Sequence, residues 1–218
     1  MVLIAGIDEA GRGPVIGSMF LVGVMCKEED LPKLKSIGAI DSKLLTHKKR
    51  ITLSVKIRKI AKEIKAVRLS PAEIDAAVDG DNGLNLNWLE AEKTAEIINA
   101  LKPDKAIIDC PSPNIKDYTS YLKRRLTHKK VELVLEHQAE RYEIVGAASI
   151  VAKVLREEEV TRIEKHVGQS IGSGYPSNPV CQKFLRDCHD KHPEIIRKSW
   201  SSYKRIIDGK KQKSLEEF

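Results

Sequence analysis

The sequence has few aromatic residues, few cysteines and no long apolar run. Only 5% of its 218 residues are aromatic, so aliphatic side chains must supply most of a core. Its 4 cysteines form no closely spaced pair, which indicates reduced thiols in a cytoplasmic protein rather than a disulfide framework. No apolar run approaches the roughly 20 residues that a membrane-spanning helix needs. The N-terminus also lacks a basic segment before its apolar stretch, so we expect neither a signal peptide nor a membrane anchor.

Positive charge exceeds negative charge along the chain. The 38 Lys and Arg residues outnumber the 31 Asp and Glu residues, for a formal net charge of +7. A basic surface attracts phosphate backbones, so a polyanionic partner fits this charge. Eight Lys or Arg residues lie between positions 191 and 213, against Glu194 and Asp208 only. This segment is predicted to be a helical C-terminal extension with a basic face.

Short apolar runs typical of strands alternate with patterns typical of helices. Strands are predicted at 2–7, 15–26, 105–109 and 131–135. Helices are predicted at 47–64, 88–101 and 115–126, with a short one opening at Ser70-Pro71 and a long one near Ala147. After about residue 168 only short helices are expected. The alternation predicts an α/β or α+β domain around one mixed sheet.

Acidic residues stand at the ends of three predicted strands. Asp8 and Glu9 follow the first strand, Asp109 ends the strand at 105, and Glu136 and Glu140 follow the strand at 131. If these strands are parallel neighbours, their carboxylates converge at one edge of the sheet. Converging carboxylates repel one another unless a cation neutralises them, and Mg²⁺ or Mn²⁺ prefers such oxygen ligands. The pattern therefore predicts a site for divalent ions that can support phosphodiester hydrolysis.

Gly11-Arg12-Gly13 comes directly after the first acidic pair. Glycines let a backbone approach a ligand closely, and the amide N–H groups of such a loop can bind oxygens. Most such triplets are simple turns, so the motif by itself is weak evidence of a ligand.

Five segments, in order along the chain, resemble motifs of the ribonuclease HII family. They are GIDEAGRGP at 6–14, DSK at 41–43, ID at 108–109, AASIVAKV at 147–154 and GSGYPSNP at 172–179. The resemblance implies a ribonuclease H-like fold: a five-stranded mixed sheet flanked by helices, with a helical C-terminal extension. The implied activity is endonucleolytic hydrolysis of the RNA strand of RNA–DNA hybrids. It includes cutting 5′ to ribonucleotides embedded in duplex DNA and leaves 3′-hydroxyl and 5′-phosphate ends.

The same resemblance implies roles for individual residues. Asp8, Glu9 and Asp109 would hold two Mg²⁺ or Mn²⁺ ions. The family usually has Asp within the short motif before the AAS helix, but this chain reads Gln-Ala-Glu-Arg at 138–141, and the link to Ala147 is one residue shorter. Glu140 is the candidate for the fourth acid, and Glu136 and Glu143 are the alternatives.

Substrate contacts are also implied by the resemblance. The backbone of Gly11, Arg12 and Gly13 would contact the 2′-hydroxyl that distinguishes RNA from DNA. Tyr175 would pack on the sugar beside the scissile phosphate, and Lys43 would touch a phosphate. Asn178 stands where the family has Asp, and either residue can cap a loop.

The last seven residues resemble the box by which replication proteins dock onto a sliding clamp. Gln212, Leu215 and Phe218 are spaced by three, which places them on one face of a helical turn. We therefore predict three segments: a catalytic domain at 1–168, the basic extension at 169–211 and a clamp-binding tail at 212–218. A monomer with no membrane partner is expected.

Other interpretations remain open at this point. A non-catalytic hybrid-binding or clamp-adaptor protein on the same fold would explain the altered fourth acid, and a relative that prefers long hybrids would share most of the motifs. The spacing of Cys181, Cys188, His189 and His192 matches no common zinc module. His137, Trp88 and Trp200 are predicted to be structural.

Overall fold

The computed structural model describes residues 1–39, 45–80 and 83–216. Within them lies a five-stranded mixed sheet of order β3-β2-β1-β4-β5, which confirms the expected fold class. The strands are β1 Leu3–Ala10, β2 Met19–Lys27, β3 Glu63–Leu69, β4 Lys105–Asp109 and β5 Glu132–Glu136. Lys43 and Phe218 lie outside the described residues, so their predicted roles rest on sequence.

The three acid-bearing strands are parallel neighbours, which is the condition under which their acids were expected to converge. Strand β1 pairs with β4, with Ile7 level with Ile108, and β4 pairs with β5, with Asp109 level with Glu136. Strand β2 runs antiparallel to β1 on its other side. The carboxyl ends of β1, β4 and β5 therefore meet at one edge of the sheet.

The described α-helices agree with most of the predicted ones. They are α1 Leu31–Ser36, α2 His47–Ile60, α3 Pro71–Asp79, α4 Leu86–Leu101, α5 Ile115–Arg125, α6 Glu143–Val167, α7 Pro179–Cys188 and α8 Ser201–Glu216. Helix α3 begins with a capping box in which Ser70 and Glu73 bond each other's backbone N–H groups. Helix α8, at 16 residues, is longer than the short helices expected after residue 168.

Two predicted elements were wrong in detail. The helix predicted over 47–64 ends at Ile60, and the edge strand β3 follows it from Glu63. Ile64 continues the helical spacing of the apolar residues, so the local pattern favoured helix where pairing with β2 produces strand. Strand β2 begins at Met19, not Val15, because Ile16 instead forms an isolated bridge with Ile196.

The chain packs as two compact units. The first, called the sheet unit, comprises Met1–Ala10, Phe20–Arg68 and Leu86–Arg156. One of its core clusters joins even-numbered residues of β1, such as Ile4 and Ala10, to the first half of α6. Odd-numbered Ile7 lies on the other face, near Gly23 and α4. Even-numbered side chains of β1 therefore face α6, and odd-numbered ones face the opposite side of the sheet, where α4 lies.

The second unit, called the loop unit, comprises Gly11–Met19, Leu69–Asn85 and Glu157–Phe218. Its core cluster includes Val15, Ile16, Ile171, Phe184 and Leu185. The division at residues 168 and 211 stays a prediction, since these packing units are discontinuous along the chain. In the described part of the chain, no helix combines the length and apolarity needed to cross a bilayer.

Candidate active site

Asp8 and Asp109 are brought together by strand pairing. Gly6 is level with Ile107, and two residues further on Asp8 and Asp109 project from the same face of adjacent parallel strands. Helix α6 covers this face very closely, because a Cβ placed on Gly6 would lie 2.3 Å from the backbone carbon of Ile144. Only glycine fits there, and its absence of a side chain lets α6 approach the strand that carries Asp8.

Glu140 is placed by a tight turn after β5. Gln138 adopts a left-handed conformation (φ 58°), and the 3-10 turn Ala139–Arg141 follows it. The Ala139 N–H donates to Asp109 Oδ1 at 3.2 Å, which ties this turn to β4. One carboxylate oxygen from each of Asp8, Asp109 and Glu140 then lies within 4.8 Å of the other two.

The two alternative acids lie elsewhere. Glu136 forms an ion pair with Arg141 and accepts a hydrogen bond from the Tyr142 hydroxyl at 3.2 Å. Glu143, the first residue of α6, has Lys35 3.9 Å away. Of the three acids considered from sequence, Glu140 is the one in the cluster with Asp8 and Asp109.

Asp8 is the most strongly perturbed member of this cluster. It is 5% exposed, and burial raises its pKa from 3.8 to about 7. A hydrogen bond from Ser149 lowers the pKa, the charge of Asp109 raises it, the Glu9 N–H lowers it and the charge of Glu140 raises it. Its Oδ2 atom is buried without a hydrogen-bond partner. A buried carboxylate oxygen without a partner is costly unless a proton or a cation satisfies it.

Helix α6 adds two polar residues that the sequence reasoning did not assign to the site. Ser149 hydrogen-bonds Asp8, and the Lys153 ammonium donates to the Ser149 hydroxyl at 2.9 Å. The same ammonium lies 3.7 Å from Glu140 Oε1. Ser149 and Lys153 are four residues apart on one helical face, so their spacing in AASIVAKV was a usable signal.

Glu9 is not part of the three-acid cluster. It follows Asp8 on β1, so its side chain points to the opposite face of the sheet. There its charge helps to raise the pKa of the Cys110 thiol and that of the Tyr118 hydroxyl. The structure thus groups Asp8, Asp109 and Glu140, and leaves Glu9 on the face of α5.

The donor set of the cluster fits a divalent cation. It consists of carboxylate oxygens, which Mg²⁺ and Mn²⁺ prefer, and it includes the unpartnered Asp8 Oδ2. A cation there would also offset the repulsion that raises the pKa of Asp8.

In the loop unit, the predicted substrate residues Gly13 and Tyr175 are in contact. A Cβ on Gly13 would lie 3.1 Å from Tyr175 Cε1, so the ring packs against this glycine. The Val15 N–H donates to the Gly174 carbonyl at 2.9 Å, which links the two loops. Tyr175 is 45% exposed although it is a large apolar ring. Asn178 caps α7 by accepting from the N–H groups of Val180 and Cys181.

The residues weighed as structural have structural contacts. His137 Nδ1 bonds the Cys110 carbonyl at 3.0 Å, and Trp88 stacks on Tyr121. Cys181 is fully buried in the core of the loop unit. His192 lies instead near Glu194. Its Nδ1 and the Nε2 of the exposed His166 are each 3.8 Å from Glu194 Oε1.

Comparison with known proteins identifies the family. The family model described as Ribonuclease HII matches residues 5–203. The chain belongs to the ribonuclease HII family. It is 40% identical over 216 residues to the ribonuclease HII of Pyrococcus furiosus, covering 96% of this chain and 93% of the relative.

Solved structures agree with this assignment. The ribonuclease H2 of Pyrococcus horikoshii OT3 is 35% identical and matches with a TM-score of 0.84, over 94% of this chain and 97% of that one. The PCNA:RNase HII complex of Archaeoglobus fulgidus is also 35% identical, with a TM-score of 0.81 over 93% and 96% of the two chains. This family membership makes the chain a ribonuclease, and its fold is that of the solved members.

Proposed function

We propose that this protein hydrolyses the RNA strand of RNA–DNA hybrids and cuts 5′ to single ribonucleotides in duplex DNA. The observation that carries the proposal is the cluster of Asp8, Asp109 and Glu140, with one buried oxygen of Asp8 unpartnered. A purely binding protein gains nothing from clustered negative charge that would face phosphates. This disfavours the alternative of a non-catalytic hybrid-binding or clamp-adaptor protein.

Asp8, Asp109 and Glu140 would hold the divalent ions, Mg²⁺ or Mn²⁺. Two such ions supply activation of water and stabilisation of the leaving oxygen when bound. Ser149 restrains the Asp8 carboxylate, and the turn bonded to Asp109 holds Glu140 in place. Lys153 partly offsets the negative charge of Glu140. Glu9 remains a proposed ligand on the resemblance alone.

Recognition of the ribonucleotide is assigned to the loop unit. The backbone of Gly11, Arg12 and Gly13 would contact the 2′-hydroxyl, and Tyr175, packed on Gly13, would lie on the adjacent sugar. A partly exposed aromatic ring suits this contact, and Tyr175 is 45% exposed. Lys43 would bind a phosphate of the same substrate.

The decisive experiment separates cleavage from binding. Asp109→Asn keeps the size and hydrogen-bonding shape of the side chain but removes a ligand charge. We expect cleavage of an RNA–DNA hybrid to fall by at least about 100-fold while hybrid binding, measured in EDTA, stays within about threefold. A wild-type protein that binds the hybrid but does not cut it with Mg²⁺ or Mn²⁺ would favour the adaptor function.

We further propose that the tail docks onto a sliding clamp. Helix α8 extends to Glu216, so the backbone at Gln212 and Leu215 is helical, as the docking box requires. The solved complex of a 35% identical relative with PCNA supports this partner. We also propose that the protein is a monomer and is cytoplasmic, and the absence of a disulfide among its four cysteines is in keeping with that compartment.

A further inference from the structure

A buried arginine holds the Gly11-Arg12-Gly13 loop from one side. Arg197 follows the 3-10 turn Pro193–Ile195, and it is 0% exposed. Its guanidinium donates from Nη2 to the Gly11 carbonyl at 2.6 Å and from Nη1 to the Arg12 carbonyl at 2.9 Å. Its Nε donates to the Gly17 carbonyl at 2.8 Å. Burying a cation costs free energy unless its N–H donors have hydrogen-bond partners. The three carbonyls supply those partners and so stabilise the buried guanidinium.

Trp200 extends the same contact to the next residue of the loop. Its indole Nε1 donates to the Gly13 carbonyl at 3.2 Å, and the Arg197 guanidinium lies 5.0 Å from the centre of its ring. The Arg197 N–H also donates to the Val15 carbonyl at 2.9 Å. Three consecutive carbonyls, at residues 11 to 13, therefore accept hydrogen bonds from two side chains of one segment.

Fixing these carbonyls also fixes the amides that follow them. In a trans peptide the N–H points opposite to the C=O of the same peptide unit, and the described chain has no cis peptide bond. With the carbonyls of Gly11 and Arg12 turned toward Arg197, the N–H groups of Arg12 and Gly13 point away from it. Pro14 has no N–H, so the peptide after Gly13 offers no donor.

The guanidinium also changes the strength of these donors. A cation bonded to a carbonyl polarises the whole peptide unit, and polarised peptides donate more strongly in a low-dielectric surrounding. Gly11 is in the left-handed region (φ 86°), so the loop adopts a backbone that side-chain-bearing residues rarely take. Glycine has more accessible backbone conformations than other residues, and the hydrogen bonds from Arg197 and Trp200 restrict them here.

We propose that Arg197, assisted by Trp200, is a positioning residue for ribonucleotide recognition, because it holds the Arg12 and Gly13 amides in the orientation that binds a 2′-hydroxyl. The inference rests on the proposed function, in which this loop contacts the 2′-hydroxyl. It adds to that function a residue far from the loop in the sequence that sets the preference for RNA over DNA.

The test compares substrate preference among four variants. Arg197→Met removes the donors, Arg197→Lys keeps the charge without the planar fork, and Trp200→Phe removes the indole N–H and keeps an aromatic ring. Arg162→Met, at an exposed position of α6, is the control for loss of a guanidinium. The readout is the Kd for a DNA duplex divided by the Kd for the same duplex with one ribonucleotide. Both are measured in EDTA, at a temperature at which every variant is folded and both duplexes are intact.

We expect Arg197→Met to lower this ratio at least tenfold and Arg197→Lys to lower it nearly as much, while Arg162→Met matches the wild type. A merely structural role would lower thermal stability and leave the ratio unchanged. If Arg197→Met does not fold, Arg197→Lys and Trp200→Phe carry the comparison. A folded Arg197 variant with the wild-type ratio overturns the proposal.

A second measurement separates this proposal from the proposed function. Amide ¹⁵N relaxation without substrate should give order parameters near about 0.85 at Arg12 and Gly13 in the wild type, and below about 0.6 in the Arg197 variants. A wild type that does not distinguish the two duplexes refutes the part of the proposed function in which this loop recognises the 2′-hydroxyl, and these order parameters then decide whether Arg197 positions the loop. Unchanged rigidity in Arg197→Met overturns the positioning role.

Discussion

At the scale of single residues, Asp8 carries the main electrostatic cost of the acidic site. Its carboxyl is buried, faces two other acids and has one unpartnered oxygen. The folded protein without metal therefore holds the Asp8 proton more tightly than the unfolded chain does. The negatively charged form of Asp8 is therefore stabilised when a cation is bound and is unfavourable without one.

This difference predicts how stability without metal depends on pH. The pKa of Asp8 is about 7 in the folded protein against an ordinary 3.8, so its contribution to the free energy of unfolding is complete below pH 3.8 and is lost as pH rises through about 7. In EDTA, the wild type should lose about 1–3 kcal/mol more than Asp8→Asn between pH 5 and pH 8. Urea denaturation at both pH values measures this, and equal losses in the two proteins would contradict it.

Glu140 offers a second test at the same scale. Because its carboxylate lies within 4.8 Å of those of Asp8 and Asp109, Glu140→Gln should lower the cleavage rate at least tenfold. Glu143→Gln is the matched control, since Glu143 lies near Lys35 and outside the cluster. Single-turnover cleavage of a hybrid measures both. Full activity in Glu140→Gln would instead direct attention to Glu136.

At the scale of elements, the site depends on how closely α6 approaches β1. Gly6 permits this approach, because a Cβ there would lie within 2.5 Å of three backbone atoms of Ile144 and Val145. Backbone atoms in a packed helix cannot move as cheaply as the end of a side chain. Helix α6 also carries Ser149 and Lys153, so its position relative to β1 sets the hydrogen bonding of Asp8.

Gly6→Ala should therefore destabilise the protein by about 1–3 kcal/mol, the usual cost of overpacking a core. It should also weaken divalent-ion binding, because α6 and Asp8 would separate. Chemical denaturation gives the stability, and titration calorimetry with Mn²⁺ gives the affinity. A Gly6→Ala protein as stable as the wild type would show that α6 can shift without cost.

At the scale of the whole molecule, the nuclease and the clamp-binding tail should be separable. Phe218→Ala should reduce binding of the intact protein to the sliding clamp of its source organism at least tenfold, because the aromatic would fill the clamp's apolar pocket. Cleavage of a free hybrid should stay unchanged, since Phe218 takes no part in the proposed site. Calorimetry with the intact protein and with a peptide of residues 208–218 measures the binding. If neither the intact protein nor the peptide binds the clamp, the proposed clamp partner is wrong.

The sequence by itself determined the sheet edge and two of its acids. Apolar runs ending at Asp8 and Asp109 predicted two strands whose acids would converge if the strands were parallel neighbours, and their pairing meets that condition. These features are local, because a strand and the residue that ends it are adjacent in the chain. The family motifs could also be recognised from the sequence, because each is a contiguous segment and the five segments occur in the family's order.

The tertiary structure alone decided which groups meet. The sequence favoured Glu140 as the fourth acid but left Glu136 and Glu143 open. A left-handed residue at Gln138 with the following turn places Glu140 beside Asp109. Strand β3 is a strand because it pairs with β2, although the local pattern favoured helix. Arg197 reaches the Gly11 carbonyl across 186 positions of the chain. Such contacts depend on register and packing between distant segments, which no local pattern of residue types encodes.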